Sequence, residues 1–257
     1  MKFLTFLLLF IIISCTSTNH STSTNRNSDI FLKEYTYLVF HNSEKGSLFC
    51  AGFFTKHKKD LYFITANHIA AIPEDSITIL IDPQKNIKIQ ISIEDGKKRK
   101  LETNFAEYDL YIKKVNSYFL GKVSTINKFI PDYKHFDFSN VKHIIYFGFP
   151  NVVNEPVYDF KKVYPSHVKS EDTIVGTYNY IRYSSKLNKY DTINYITKST
   201  NGSYSGEGDS GAPVFFKIGN QYYFGGMCTA GVGSLAIAYI LRPEKLLDSL
   251  SRFANRN

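Results

Sequence analysis

Gly208-Asp209-Ser210-Gly211-Ala212-Pro213-Val214 decides the fold of this 257-residue chain, because it sets a serine in a tight turn between glycines. A serine attacks a carbonyl only when its hydroxyl is exposed and backbone N–H groups meet the developing oxyanion. Glycine permits the backbone conformations that such a turn needs. Ser210 is therefore the candidate nucleophile, and the N–H groups of Gly208 and Ser210 form the candidate oxyanion hole. The other interpretation is a plain surface turn before an apolar strand at 212–216.

A histidine follows an apolar strand upstream of this turn. Residues 60–70 read Asp-Leu-Tyr-Phe-Ile-Thr-Ala-Asn-His-Ile-Ala, so the strand runs into a turn of small residues that ends at His68. The imidazole of His68 is the candidate general base for Ser210. A histidine at a strand end is more often structural, but none of the other histidines in the chain has a comparable setting.

An acidic residue stands at the mouth of the next apolar strand, in Glu107-Tyr108-Asp109-Leu110-Tyr111-Ile112. The carboxylate of Asp109 would orient the imidazole of His68 and stabilise its charged form. An aspartate before a strand commonly serves the turn alone. The catalytic interpretation of Asp109 therefore depends on His68 and Ser210.

Together the three segments resemble the chymotrypsin/trypsin-like serine peptidase superfamily, in which the triad occurs in the order His, Asp, Ser. Here 41 residues separate His68 from Asp109 and 101 separate Asp109 from Ser210, which suits that family. Subtilisin-like enzymes use the order Asp, His, Ser, and α/β-hydrolases use Ser, acid, His, so both are disfavoured. The resemblance covers residues 30–257 and implies an all-β fold of two packed six-stranded antiparallel β-barrels with a C-terminal helix. Barrel one is expected over about 30–125 and barrel two over about 126–257.

Details of the resemblance bear on the bacterial type of the family and on specificity. Residues 46–54 look like the strand before the histidine, and residues 225–231 look like the strand that pairs with substrate backbone. The sequence Thr-Ala-Asn-His, with no cysteine after the histidine, is closer to bacterial members such as the glutamyl endopeptidases and the high-temperature-requirement proteases than to animal digestive enzymes. Trypsin specificity would need an acid six residues before the nucleophile, where this chain has Tyr204. Asp209 occupies the place that a freed N-terminus reaches in the digestive enzymes, and no activation site is evident.

Alternating residues support an all-β domain. Residues 86–94, Asn-Ile-Lys-Ile-Gln-Ile-Ser-Ile-Glu, place isoleucines on one face with the period of two that is typical of a strand. A hydrophobic content of 43% is ample for a large core. A closing helix is predicted at 243–253. Further strands are predicted at 35–40, 47–54, 76–81, 110–115, 141–147, 173–183, 191–198 and 221–228.

The N-terminus resembles a bacterial lipoprotein signal peptide. Lys2 precedes an apolar run at 3–13, which is too short to span a bilayer because spanning takes roughly 20 residues. The run ends in Ile12-Ile13-Ser14-Cys15, which resembles a lipobox and implies a lipidated Cys15 carrying fatty acyl chains. The predicted organisation is a lipoprotein signal peptide at 1–14, a lipid anchor and flexible tether at 15–29, and the peptidase domain at 30–257. A plain secretory signal with a coincidental cysteine is the alternative.

The composition and motifs of the sequence indicate which classes of partner the protein could bind. The net charge of +8 would attract anionic lipid, cell-wall polymers or nucleic acid, although the run Lys97-Lys98-Arg99-Lys100 is most simply a solvated loop. No zinc-ligand spacing, phosphate-binding loop or nucleic-acid motif stands out, so no cofactor, metal or specific nucleic acid is implied. The remaining cysteines, Cys50 and Cys228, lie in apolar strand-like stretches, and the sequence leaves their pairing open.

These observations converge on a serine endopeptidase anchored to the bacterial cell envelope and facing the extracytoplasmic side. In this hypothesis Ser210 attacks a polypeptide substrate, His68 transfers the proton and Asp109 holds the imidazole. The alternative is a catalytically silent trypsin-like fold that serves as a surface-binding lipoprotein module.

Overall fold

The computed structural model describes residues 30–43, 46–70, 76–82, 87–91, 108–141, 143–149, 167–174, 182–184, 189–191, 194–199, 208–232 and 237–256. The predicted signal peptide and tether, the basic run at 97–100 and Tyr204 lie outside these residues. The chain divides into two segments, Met1–Ile30 and Phe31–Asn257. The strands and the proposed catalytic residues all belong to the second segment.

Strands dominate the described residues. The α-helices among them are α1, Asn67–Ala70, and α2, Pro243–Ala254. Short 3₁₀ turns lie at Ile30–Tyr35, Ser117–Phe119, Ile126–Phe129 and Phe138–Asn140. The strands are β1 Tyr37–Ser43, β2 Gly46–His57, β3 Asp60–Ala66, β4 Ser76–Asp82, β5 Ile87–Ile91, β6 Leu110–Val115, β7 His143–Gly148, β8 His167–Ile174, β9 Arg182–Ser184, β10 Lys189–Asp191, β11 Asn194–Ser199, β12 Pro213–Ile218, β13 Gln221–Val232 and β14 Ile237–Leu241.

The strands form two antiparallel units of six. The first is a sheet in the order β5-β4-β1-β2-β3-β6, and the second is a closed barrel in the order β11-β14-β13-β12-β7-β8. β9 and β10 pair as a separate two-stranded ribbon. The predicted fold class, all-β with antiparallel strands and a C-terminal helix, is confirmed. Of the two predicted six-stranded barrels, the second group of strands closes into a barrel, and the first is a six-stranded sheet among the described residues.

Individual strand predictions agree unevenly with the structure. β6 has the bounds expected from the sequence, and β5 forms the core of the strand predicted at 86–94. The strand predicted at 173–183 is met only at its ends, by β8 and β9, and the part between lies outside the described residues. β14 was not predicted, because its short apolar run has no alternation to reveal it.

Both faces of β2 are buried from Cys50 to Thr55, which explains the nearly continuous apolar sequence there. Phe54 packs inside the first sheet with Phe63 of β3, at a ring-centroid distance of 5.0 Å. Its neighbour Phe53 points the other way and packs with Phe224 of β13, at 5.5 Å. The cluster around Phe53 joins both six-stranded units and includes Leu246 of α2. Aromatic rings therefore fill the interface between the units in a chain without tryptophan.

α2 begins with Pro243 and ends one residue beyond the predicted helix. Proline suits the first position of a helix, because an N–H there would have no partner within the helix. Its buried face carries Leu246, Ser249 and Leu250. The Ser249 hydroxyl donates to the Lys245 carbonyl at 2.8 Å, so its burial leaves no donor unpaired.

The cysteines of the domain, Cys50 and Cys228, are both buried and no disulfide joins them, so the pairing that the sequence left open is not formed. Desolvation by burial raises the pKa of the Cys50 thiol, and a hydrogen bond with Thr65 opposes that shift only in part. The Cys50 thiol is therefore protonated at neutral pH.

Gly226 of β13 provides a test of the packing between strands. Its φ is +121°, and a Cβ there would lie 2.0 Å from the carbonyl oxygen of Leu241. We expect Gly226→Ala to lower the free energy of unfolding by about 3 kcal/mol or more, through backbone strain and overpacking. Gly121 is a matched control, because its φ is +85° and no atom lies within 4 Å of its Cβ position. Gly121→Ala should cost about 1 kcal/mol in urea unfolding. Equal losses would contradict the close approach at Gly226.

Candidate active site

His68 and Asp109 meet because of the register of two paired strands. β3 and β6 are antiparallel with Ala66 opposite Leu110, so the residue after one strand lies beside the residue before the other. The N–H of Asn67 donates to the carbonyl oxygen of Asp109 at 2.9 Å. This bond continues the ladder by one step and brings α1 against Asp109.

Two further bonds fix the imidazole on the carboxylate. The backbone N–H of His68 donates to Oδ1 of Asp109 at 2.8 Å, and Nδ1 of His68 lies 2.7 Å from Oδ2. Asp109 has φ +50°, a left-handed conformation that aspartate tolerates better than most residues. The strained backbone turns both carboxylate oxygens toward α1. The carboxylate of Asp109 therefore contacts both the backbone and the ring of His68.

This arrangement suits a general base. With the proton of neutral His68 on Nδ1 and shared with Asp109, Nε2 keeps its lone pair and can accept a proton. The side chain of His68 is 48% exposed, so a substrate or a nucleophile can reach it.

The turn around Ser210 is anchored to both six-stranded units. Gly211 N–H donates to the Cys228 carbonyl of β13 at 2.7 Å, and Ala51 N–H of β2 donates to the Ser210 carbonyl at 2.8 Å. Ala51 precedes Gly52, which pairs with Thr65 of β3, and β3 leads into α1. Ser210 is therefore held on the strand pair that carries His68.

Glycine is required after the serine. A Cβ at Gly211 would lie 2.0 Å from the Ala51 carbonyl oxygen and 2.5 Å from Oγ1 of Thr65, and φ of Gly211 is +86°. The Thr65 hydroxyl itself donates to the Ala51 carbonyl at 2.7 Å. Gly211, Ala51 and Thr65 are therefore packed closely together, and this packing holds the Ser210 turn against β2.

Asp209 is fully buried beside the end of β7. A Cβ at Gly148 would lie 2.0 Å from Oδ1 of Asp209, so the absence of a side chain at Gly148 makes room for the carboxylate. The N–H of Phe149 donates to the Gly208 carbonyl at 3.1 Å and ties the turn to the same strand end. Contacts with the β7 end therefore surround the residue that precedes the serine.

The carbonyl groups of the turn point into the protein. Those of Gly208, Asp209 and Ser210 accept from Phe149, Ala212 and Ala51, at 3.1, 3.0 and 2.8 Å. Within the described part of the chain, the N–H groups of Gly208 and Ser210 take no part in these bonds. Gly208 has φ +96°, which its lack of a side chain permits. Because a trans peptide sets the N–H opposite the preceding carbonyl, the inward Asp209 carbonyl turns the Ser210 N–H outward. The oxyanion hole at Gly208 and Ser210 stays a prediction.

Sequence reasoning missed the residues that support the turn. Ala51, Thr65 and Gly148 are small residues within strands, and nothing in their local sequence marks them. Their roles arise from strand register and from contacts between distant parts of the chain.

The described residues contain no cluster of three or more His, Cys, Asp or Glu side chains arranged to hold a metal ion. In the same part of the chain, no helix is long and apolar enough to cross a membrane.

No protein-family model matches the sequence, and no curated protein is significantly similar to it. Solved structures do match the fold. The HtrA-type protease AlgW with a tripeptide is 13% identical with a TM-score of 0.54, over 88% of this chain and 62% of AlgW. The serine endoprotease from Yersinia pestis is 13% identical with a TM-score of 0.55, over 88% of this chain and 65% of that protein. This chain thus spans less than two thirds of either protein.

Shorter proteases match over most of their length. HL collagenase is 13% identical with a TM-score of 0.55, over 86% of this chain and 94% of the collagenase. The active form of the Rv3671c protease from M. tuberculosis is 11% identical with a TM-score of 0.54, over 90% of this chain and 86% of that protein. At such low identity the likeness concerns the fold. This chain has the fold of the HtrA and chymotrypsin-like serine proteases.

Proposed function

We propose that this protein is a membrane-anchored, extracytoplasmic serine endopeptidase that hydrolyses peptide bonds through Ser210, His68 and Asp109. The observation that carries the proposal is the pair of hydrogen bonds from His68 to Asp109, 2.8 and 2.7 Å long, on a fold shared with serine proteases. The bond from Ala51 to the Ser210 carbonyl supports the third member, because it holds the serine on the same strand pair.

The reaction follows from these roles. Oγ of Ser210 attacks the scissile carbonyl carbon while Nε2 of His68 takes the hydroxyl proton. The protonated imidazole then gives that proton to the leaving amine as the C–N bond breaks, which leaves an acyl ester on Ser210. Water, deprotonated by the same imidazole, attacks the ester and releases the acid product. Asp109 keeps the ring oriented and stabilises its positive charge throughout.

The oxyanion of each tetrahedral intermediate would bind the N–H groups of Gly208 and Ser210. The Asp209 carbonyl, which accepts from Ala212, supports this role for Ser210, because the trans peptide points the Ser210 N–H the opposite way. All groups in this scheme belong to the chain, and the chemistry calls for no cofactor.

Polypeptides are the proposed substrates. The structurally similar proteins are proteases, and one of them is described with a tripeptide. Tyr204 at the position six residues before the nucleophile supports a specificity other than cleavage after Lys or Arg, because a phenol does not neutralise a buried cation.

The proposed location rests on the N-terminal sequence. The apolar run and the Ile12-Ile13-Ser14-Cys15 ending resemble a bacterial lipoprotein signal, and a multiply acylated Cys15 would hold the protein on a membrane. The polar residues 16–29 would then form a tether of roughly 20 Å root-mean-square reach.

A catalytically silent surface-binding module remains the second candidate from the sequence. The complete His68–Asp109 pair and the anchored Ser210 turn favour the enzyme, because a binding module has no need of either. Covalent labelling of Ser210 by a fluorophosphonate probe separates the two, since only an activated serine reacts.

Ser210→Ala and His68→Ala should each lower peptidase kcat/KM by roughly a million-fold, and the double variant should be little worse, because the two residues act as a unit. The measurement is hydrolysis of a casein or peptide library together with fluorophosphonate labelling. His135→Ala is the matched control. Nδ1 of His135 lies 2.7 Å from Oδ2 of Asp132, the same distance as between His68 and Asp109, but this pair lies on an exposed turn. Wild-type activity in Ser210→Ala would exclude the proposed enzyme.

Thr65→Val should slow fluorophosphonate labelling of Ser210 about tenfold, because it removes the hydroxyl that donates to the Ala51 carbonyl and so loosens the serine turn. Thr65→Ser should restore most of the rate. Thr55→Val is the control, since Thr55 is equally buried in β2 but its hydroxyl donates to Asn127 at 3.5 Å, away from the serine turn. Equal slowing in both valine variants would mean that the effect is general to the core.

Cys15→Ser should abolish incorporation of a fatty-acid analogue and release the protein from the membrane fraction, or leave it as an unprocessed precursor, while the fold stays intact. Metabolic labelling followed by fractionation measures this. Unlabelled wild-type protein in the soluble fraction, with a mature N-terminus other than Cys15, would show instead a plainly secreted protein.

A further inference from the structure

One end of the first six-stranded sheet carries a concentration of positive charge, here called the hairpin end. It comprises the tip of the β2–β3 hairpin, the end of β6 and the last turn of α2. The Lys58 ammonium donates to Oδ1 of Asn255 at 3.3 Å and thereby joins the hairpin to the helix end. The exposed basic residues of the hairpin end are Lys56, Lys58, Lys59, Lys114, Arg252 and Arg256.

Acidic partners offset this charge only in part. Asp60 pairs with Lys114 at 3.0 Å, and Asp248 pairs with Arg252 at 2.9 Å. Six basic residues thus face two carboxylates in this cluster, and the surplus charge projects into solvent.

Two exposed aromatic side chains flank the same end. Among the described residues, Phe31 and Tyr118 are the large hydrophobic side chains that count as exposed, at 37% and 65%. Tyr118 lies in the turn after β6, and the end of β6 pairs with Leu61 beside the hairpin tip. The Lys122 ammonium lies 3.3 Å from the centre of the Tyr118 ring.

Phe31 is connected to the hairpin end through the 3₁₀ turn Ile126–Phe129. Its ring lies 6.3 Å from that of Phe129 and 5.7 Å from the Lys128 ammonium. The side chain of Asn127, in the same turn, accepts from the Lys56 N–H at 2.7 Å and donates to the Lys56 carbonyl at 2.8 Å. Phe31 is also the first residue of the compact part of the chain, Phe31–Asn257.

Exposed aromatic rings among lysines are typical of surfaces that rest in the headgroup layer of a membrane. Lysine and arginine attract anionic lipid, and aromatic rings favour the boundary between headgroups and acyl chains. A projecting hairpin tip suits a flat surface, whereas single-stranded nucleic acid is usually bound along a groove.

The hairpin end lies far from the catalytic residues, which leaves them accessible when the hairpin end is in contact with a membrane. The hairpin tip precedes β3 and His68 follows it, so the two lie at opposite ends of a seven-residue strand, roughly 20 Å apart. Contact at the hairpin end therefore leaves His68 turned away from whatever the hairpin touches.

We propose that the hairpin end is a docking surface for anionic phospholipid membranes, with its lysines on the lipid phosphates and with Phe31 and Tyr118 in the headgroup layer. This surface acts in addition to the anchor proposed at Cys15 and does not depend on peptidase activity. The anchor keeps the protein near the membrane, and the hairpin end sets its orientation.

Single tryptophans report this contact directly, because the natural chain has none. The full-length protein carrying Tyr118→Trp is mixed with vesicles of phosphatidylglycerol and of phosphatidylcholine. We expect a blue shift of emission, and quenching by brominated acyl chains, with phosphatidylglycerol vesicles only. Gln90→Trp is the matched control, because Gln90 of β5 is exposed and lies away from the hairpin end. Across the paired strands β5, β4, β1 and β2, Gln90 is level with Phe49, which lies seven residues before Lys56 on β2. Because the readout is local, membrane binding by residues 1–29 does not affect its interpretation.

The charge is tested in the Tyr118→Trp background. Lys56→Gln with Lys59→Gln should weaken the phosphatidylglycerol-dependent shift about 30-fold in lipid concentration. Lys88→Gln with Lys245→Gln removes two charges elsewhere, on β5 and in the first turn of α2, and should leave the shift unchanged. Increasing salt should weaken the response of the Tyr118→Trp protein.

Three results would overturn the proposal. The first is a tryptophan emission of the Tyr118→Trp variant that stays at its aqueous value on phosphatidylglycerol vesicles. The second is an equal response of the Tyr118→Trp and Gln90→Trp variants, which would indicate non-specific adsorption. The third is lysine-dependent binding to polyphosphate or DNA without quenching by brominated lipid, which would identify a polyanion site in place of a lipid surface.

Discussion

The candidate active site depends on the backbone of Ala51. Its N–H donates to the Ser210 carbonyl, and its carbonyl, in the next peptide group, accepts the hydroxyl of Thr65. Ala51 thus bonds both to the nucleophile turn and to the strand that leads into α1. Because both bonds are buried and short, a shift of β2 would move the serine and the histidine strand together. The relative position of the two six-stranded units is coupled to the position of the serine.

Much of the fold could be predicted from local pattern. The alternation at β5, the apolar run of β6 and the proline at the start of α2 each predict an element close to the observed one. The short run of β14 escaped prediction, because four or five apolar residues fit a buried strand and a buried helix segment equally well. The predicted boundaries of the signal peptide, tether and barrels remain predictions.

The sequence alone indicates the candidate catalytic residues, because their residue types and local patterns are recognisable. It does not indicate the residues whose roles depend on contacts between distant parts of the chain. A serine between glycines, a histidine at a strand end and an acid at a strand start carry recognisable signals. The left-handed backbone of Asp109 and the room that Gly148 leaves for Asp209 carry none, because both follow from contacts between residues distant in sequence. Similar folds at 11–13% identity agree with this division, since strand register can persist while most side chains change.

The buried thiols of the domain have a consequence for how the strands that carry them are held. Cys50 and Cys228 are not bridged, so no covalent crosslink between them has to form before the strands pack. Burial also keeps the Cys50 sulfur in its protonated, unreactive form, because the pKa of the thiol is raised. Packing and hydrogen bonds, and not a bridge between these two cysteines, therefore hold the strands that carry them. A reducing agent added to the folded domain has no Cys50–Cys228 bond to break.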